Sequence, residues 1–205
     1  MPARIDPRQR RRHVVEAAFR LVVAEGIDGL SLRKVAAEAG LNIGSVRHFF
    51  DGHEDLLAAA AEEAGDRMGR RLAHHPVDGL RGLAGAEALD ALQALVEEVL
   101  PVDAERRDES IVVLELILAA RTRPVFRPIS ERMSADLHRV VADALAALGA
   151  DDPDAKAYQV TAVIGGLTID TVTPHGSLTA ERLRATLRAH LAMLLGVPPA
   201  PYEKN

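Results

Sequence analysis

Cysteine is absent from this chain of 205 residues. That excludes disulfides, thiol nucleophiles and thiolate metal sites, and it fits a reducing compartment. Aromatic residues are scarce, at 3%, and there is no tryptophan. Apolar residues still make up 48%, enough for a real core, but one built mainly from Leu, Val, Ile and Ala. Strands usually draw on aromatic and β-branched residues, so helices packed on helices are expected. A long apolar run is missing too. The strongest, Ile111 to Ala120, is interrupted by Glu115 and is too short to cross a bilayer. No apolar stretch of signal-peptide type follows the arginine-dense N-terminus. These absences predict a soluble, cytoplasmic protein with no membrane partner.

Catalytic signatures are also lacking. There is no glycine-rich phosphate loop and no pattern for an acyl-transfer triad. His74 and His75 are adjacent and point different ways on a helix, and His48 and His53 straddle a helix break. No enzyme activity, cofactor or metal site is expected.

The formal charge of −5 is unevenly spread. The first fifty residues carry nine Lys or Arg against five Asp or Glu, and the remainder sixteen against twenty-five. A basic head on an acidic body suits a chain whose head alone meets phosphates.

Periodicity and punctuation predict an all-α protein of about nine helices. The first runs over Pro7–Glu25, with Val15, Phe19 and Val22 on one face and Gly26 as its stop. Ser31 and Asn42 are natural N-caps for two short helices. Asp51-Gly52 breaks the pattern before a long helix that ends near His75, at Pro76. Residues 76–85 read as a loop. Further helices are expected over Ala86–Leu100, Arg106–Arg121, Pro124–Leu148, Pro153–Val172 and Thr179–Leu195. The tail from Val197 is proline-rich. The predicted division is a small head over 1–52 and a larger helical domain over 53–205.

The segment Leu32 to Phe50 carries the strongest signal. Leu32, Val35, Ala36 and Ala39 fall at i, i+3, i+4 and i+7, one apolar face of a helix. Ala36 is small where two helices would cross. Gly40 stands where a tight turn needs positive φ. Leu41, Ile43, Val46 and Phe49 continue the buried side. Together these make a helix-turn-helix, whose second helix enters the major groove. Its outward residues would be Asn42, Gly44, Ser45, Arg47 and His48. Asn and Ser can pair with base edges, Arg binds guanine or phosphate, and Gly44 admits close backbone approach. Ser31 and Arg33, at the start of the preceding helix, join the candidate DNA contacts.

On these residues, 10–57 resemble the DNA-binding region of the TetR family of bacterial transcriptional regulators. The matching segments are Ala17–Phe19, Gly26, Leu30–Leu32, Val35-Ala36, Ala39-Gly40, Gly44-Ser45, Phe50, Glu54 and Leu56-Leu57. The Val-Arg-His-Phe-Phe variant is similar to the subgroup around the betaine-responsive regulator, without extending to the ligand. Two positions depart from the family: Arg47 stands for its usual Tyr, and His53 for its usual Lys. Both usual residues touch phosphates, so the resemblance implies backbone contacts at Arg47 and, more weakly, at His53.

Arg4, Arg8, Arg10, Arg11 and Arg12 precede or open the first helix. They form an arm along the phosphate backbone or into the minor groove, or else a solvated N-terminus. Arg4, Arg8 and Arg11 are the arm's candidate contacts. One helix-turn-helix reads only a few base pairs, so a homodimer on a palindromic operator in double-stranded DNA is expected. The last two helices suit pairing. Leu183, Leu187, Leu191 and Leu194 form a stripe, and Tyr158, Ala162, Gly165, Gly166 and Ile169 combine apolar and small residues. The competing use of these stripes is the monomer's own core.

The resemblance further implies a small-molecule effector enclosed by helices over about 86–172. Glu115 either faces that ligand or pairs internally, with Arg121 or Arg123 as nearby partners; pairing is favoured, because a buried carboxylate needs a partner anyway. Asp170 poses the same question. Phe126, Met133, His138 and Tyr158 are candidate pocket walls. The reading is a ligand-responsive repressor. An activator or a ligand-independent regulator is the alternative, and a helical enzyme a remote one. A DNA-packaging protein is disfavoured by the acidic body.

Overall fold

The structure is a computed structural model and describes residues 6–198. Nine α-helices lie among them, with three 3-10 turns and no strand. They are α1 Pro7–Glu25, α2 Leu32–Glu38, α3 Ile43–Arg47, α4 His53–Leu72, α5 Gly85–Glu97, α6 Ala104–Thr122, α7 Arg127–Ala147, α8 Pro153–Val172 and α9 Ala180–Leu195. Several ends follow directly from local chemistry. Asp6 accepts from the Arg8 N–H and Pro7 opens α1, where a missing N–H costs nothing. Ser31, Asn42, Asp152 and Thr179 cap α2, α3, α8 and α9 through their side-chain oxygens. Pro124 opens a 3-10 turn over Pro124–Phe126, so the helix expected from residue 124 begins at Arg127. A second such turn, Val77–Leu80, lies within the expected loop.

The chain forms two compact units. One combines residues 6–67 with Ile111–Arg132. The other combines Met68–Ser110 with residues 133–198. The division falls inside α4, α6 and α7, so the unit carrying the first three helices is larger than residues 1–52.

In the first unit α1 packs on α2 and α2 on α3. Val14, Ala18, Val22, Val35, Val46, Leu56 and Leu57 are all buried. At the end of α2, Gly40 has φ +63, Leu41 N–H donates to Ala36 O at 2.8 Å, and Gly40 N–H donates to Ala37 O at 3.1 Å. This left-handed helix stop satisfies two carbonyls and aims the chain into α3.

In the second unit a leucine-rich core joins α5, α7, α8 and α9. Leu92, Leu95, Leu145, Leu183, Leu187 and Leu191 are fully buried. A polar group lies at the same level of burial. Glu109 of α6 has no exposed surface, and Arg71 of α4 grips it in a two-pronged ion pair. That pairing holds the Arg71 guanidinium above its ordinary pKa, against the opposing effect of burial. Arg71 also donates to the Glu98 carbonyl, while His75 and Arg106 reach the Glu98 carboxylate at 3.1 and 2.8 Å. A charge this deep persists only where its lone pairs are satisfied.

Candidate nucleic-acid interface

The recognition helix is short, and its cap builds it. Asn42 Oδ1 accepts the Ser45 N–H at 2.8 Å and fixes the first turn. A Cβ on Gly44 would lie 3.3 Å from that same oxygen. Glycine at this position therefore leaves room for the cap as well as for close approach by a ligand. Val46 is buried beneath α3, and Asn42, Gly44, Arg47 and His48 are exposed on its other side. Ser45 is half-buried. The His48 ring stands edge-on to Phe49, centroids 4.9 Å apart. Ile43, expected on the buried side, is 37% exposed, because it opens the helix at its outer edge.

A cleft of about 370 Å³ runs between the start of α1 and α3, lined by Pro7, Arg10, Asn42, Gly44, Ser45 and His48, with Phe49. Arg10 was counted in the arm and not among its contacts. Its half-buried guanidinium lines this cleft, and its Nε has no partner. An arginine one helical turn beyond the N-cap, so close to a capped recognition helix, is a signal that arm-counting alone misses.

The head's cations divide into two sets. Arg20 pairs with Glu38 at 2.7 Å and Lys34 with Glu25 at 2.5 Å, which ties α1 to α2. Arg67 lies over the Phe19 ring and pairs with Glu16 and Glu63; burial opposes its charge, but these carboxylates hold its pKa above the ordinary value. The second set has no acidic partner among the described residues. Arg8, Arg12, Arg33 and Arg47 are exposed, and Arg11 lies over the Phe50 ring at 5.1 Å. Ser31 spends its oxygen on the Lys34 N–H. His53 Nε2 is 3.4 Å from the Arg123 guanidinium, which brings a cation to α4's first residue. His13 Nε2 meets Ala39 O at 2.9 Å and braces α1 against the end of α2. Arg4 lies outside the described residues. The surface is thus a capped helix with amide, hydroxyl and guanidinium groups outward, beside arginines whose charge is not spent within the fold. Such an array can bind a polyanion and read base edges.

The residues assigned to a ligand are distributed over both units. Glu115 belongs to the first unit and accepts the Ile27 N–H at 3.1 Å. It pairs, as favoured, but with a backbone amide rather than with Arg121 or Arg123. Phe126 is a fully buried core residue of that unit. In the second unit His138 bonds Asp154 at 2.8 Å, and its ring lies 4.1 Å from that of Tyr158. Met133 and Asp170 are half-buried, and Tyr158 is 64% exposed.

The interface candidates separate by helix. On α8, Tyr158, Ala162, Gly165, Gly166 and Ile169 are all exposed, and a Cβ on either glycine would meet nothing within 4 Å. On α9, Leu183, Leu187 and Leu191 are fully buried in their own chain's core, and Leu194 is half-buried. Leu183, Leu187 and Leu191 are therefore core, and of the stripe only Leu194 keeps exposed surface. The outward face of α9 carries Ala185, Ala189 and Met193 instead.

Residues 14–60 match the family described as bacterial regulatory proteins, tetR family, and residues 88–196 match the BetI-type transcriptional repressor C-terminal region. The chain is 26% identical over 194 residues to the HTH-type transcriptional regulator PksA of Bacillus subtilis, covering 93% of this chain and 92% of PksA. A transcriptional regulator from Rhodococcus sp. superposes with a TM-score of 0.80 at 25% identity, covering 92% of this chain and 98% of that one. The multidrug binding protein EbrR complexed with ethidium superposes with a TM-score of 0.64 at 31% identity, covering 89% and 98%. The chain therefore belongs to the TetR family of bacterial transcriptional regulators: it is a regulator of transcription and not an enzyme.

Proposed function

We propose that this regulator is a repressor that acts in the cytoplasm as a homodimer on a palindromic operator, and that a small molecule bound in its C-terminal region releases it. The observation that carries the DNA half is the contrast among cations of the head. Arg20, Lys34 and Arg67 are neutralised inside the fold, whereas Arg8, Arg12, Arg33 and Arg47 are left for an outside anion. In this reading Asn42, Ser45 and Arg47 read base edges. Arg8, Arg11, Arg12 and Arg33 hold phosphates, with Ser31, His48 and His53 at the margins.

Pairing is assigned to the exposed face of α8, from Tyr158 through Gly165 and Gly166 to Ile169, with Ala185, Ala189 and Met193 of α9 beside it. Two helices from each copy would form a four-helix, two-fold interface. The effector reading is supported by EbrR, which binds ethidium. In this reading the effector is a small organic molecule bound among the C-terminal helices, with Met133, Asp170 and the His138–Tyr158 pair as its candidate contacts. The effector must bind more tightly to the state that does not read DNA.

Selection from a random duplex pool tests the DNA half. The expected product is one palindrome, preferred over bulk DNA by about three orders of magnitude or more. Uniform binding to all duplexes would refute the reading. Effectors are then found by screening compounds for release of that palindrome.

A further inference from the structure

We propose that Glu115 is a positioning residue for DNA reading: from α6 it holds the loop that sets where α2 begins. The proposal rests on the DNA-binding function and concerns one hydrogen bond that the function has not yet used.

Glu115 sits in an apolar helix face. Val112 and Ala119, three residues before and four after it, are buried, as is Leu116 next to it. Glu115 itself is half-buried, so its carboxylate gives up part of its hydration and regains it from a donor. The structure supplies one, the Ile27 N–H at 3.1 Å, which is 88 residues away in sequence. The carboxylate also lies against Gly26, with Oε1 3.5 Å from where a Cβ would stand. Gly26 has φ +69 and ψ −174, a backbone that side chains rarely adopt.

The loop beneath Glu115 is short and leads straight to the reading head. Gly26 ends α1, Ile27–Gly29 forms one 3-10 turn, Leu30 is 5% exposed, and Ser31 caps α2. Ile27 opens that turn, so its N–H has no partner within it. The ionised carboxylate makes this a charge-assisted bond, stronger than a neutral one. The far end of the loop is fixed by the Glu25–Lys34 ion pair. Glu115 therefore pairs the N–H that opens the turn and ties the turn to α6. A shift there would move Ser31, α2 and the Gly40 turn that aims α3.

The sign of the charge separates positioning from plain electrostatics. Removing a carboxylate makes the head more positive, so by Coulomb attraction alone DNA binding should tighten. Positioning demands the opposite from Glu115→Ala. Glu115→Gln also removes the charge, yet its amide oxygen can still accept the Ile27 N–H. Glu115→Asp keeps the charge and draws the carboxylate back by one methylene.

The experiment measures affinity for the palindrome selected by the wild-type protein, together with amide exchange at Ile27. Glu115→Ala and Glu115→Asp are expected to bind at least about fivefold more weakly, a loss typical of coupling through a positioned element. Their Ile27 amides should exchange faster, and the salt dependence of binding should stay as in the wild type. Glu115→Gln should match or exceed wild-type affinity. Should Glu115→Ala fail to fold, the comparison of Asp with Gln decides. Equal or tighter binding by the Asp and Ala variants, or an Ile27 amide unchanged in both, overturns the proposal. Failure of the wild type to select any palindrome would instead sink the DNA reading itself, before any variant is compared.

Discussion

Arg33→Ala and Arg20→Ala remove the same charge from the same head, from α2 and α1, and they should behave differently on DNA. Arg20 lies 2.7 Å from Glu38, so it is already neutralised, whereas exposed Arg33 has no acidic partner among the described residues. On duplex DNA, each phosphate neutralised releases counterions and contributes about −0.9 to the slope of log K against log salt. A dimer carries two copies, so Arg33→Ala should flatten the slope by about 1.8. Over a fourfold rise in salt, the wild-type advantage over Arg33→Ala should then shrink by roughly twelvefold. Arg20→Ala should leave the slope close to wild type, because an arginine paired with Glu38 holds no phosphate whose contact could be lost. Fluorescence anisotropy of the labelled palindrome from about 50 to 200 mM salt measures both. Equal flattening by the two variants would refute the division of the head's cations into spent and unspent. An unchanged slope for Arg33→Ala would remove that residue from the phosphate contacts.

Three further outcomes follow from the body. Glu109→Ala leaves Arg71 partly buried without its carboxylate, and should cost about 3 kcal/mol in urea unfolding, since breaking a buried pair costs about 3–5 and Arg71 keeps the Glu98 carbonyl and some solvent; a loss below about 1 kcal/mol would contradict the pairing described. Gly166→Arg puts a long cation on the open face of α8 and should give a monomer by light scattering with its helicity intact, whereas a dimer of wild-type stability would move the interface elsewhere. Burial lowers the His190 pKa, so the folded protein resists protonating it. Its contribution to stability is complete above the ordinary imidazole value and is lost as pH falls through the lowered one. His190→Asn should therefore flatten the fall in melting temperature between about pH 7 and 5, and an unaltered fall would discount His190.

Local chemistry made much of the fold legible. Pro7 and Gly26 bracket α1, Pro153 opens α8, and the Ser31, Asn42 and Thr179 caps were readable because each acts within three residues. What the sequence did not disclose is long-range. Glu115 announced that it needed a partner, but a backbone amide 88 residues away carries no side-chain signature. Glu109 and Arg71 lie 38 residues apart in polar surroundings that look like ordinary surface in one dimension.

The leucines of α9 show the same limit from the other side. A four-residue spacing says that one face is buried, and says nothing about what buries it. Leu183, Leu187 and Leu191 proved to face their own chain. That leaves the opposite question at α8, where Gly165 and Gly166 each weaken a helix interior by about 1 kcal/mol relative to alanine. No atom of the described residues outside the helix's own backbone lies within 4 Å of where their Cβ atoms would stand. Two adjacent glycines in a helix are offset when a backbone or a flat apolar surface packs against them. Among the described residues nothing does, so the compensation is sought in a second copy, and the burial of the α9 leucines in their own core leaves α8 as the face proposed for the dimer.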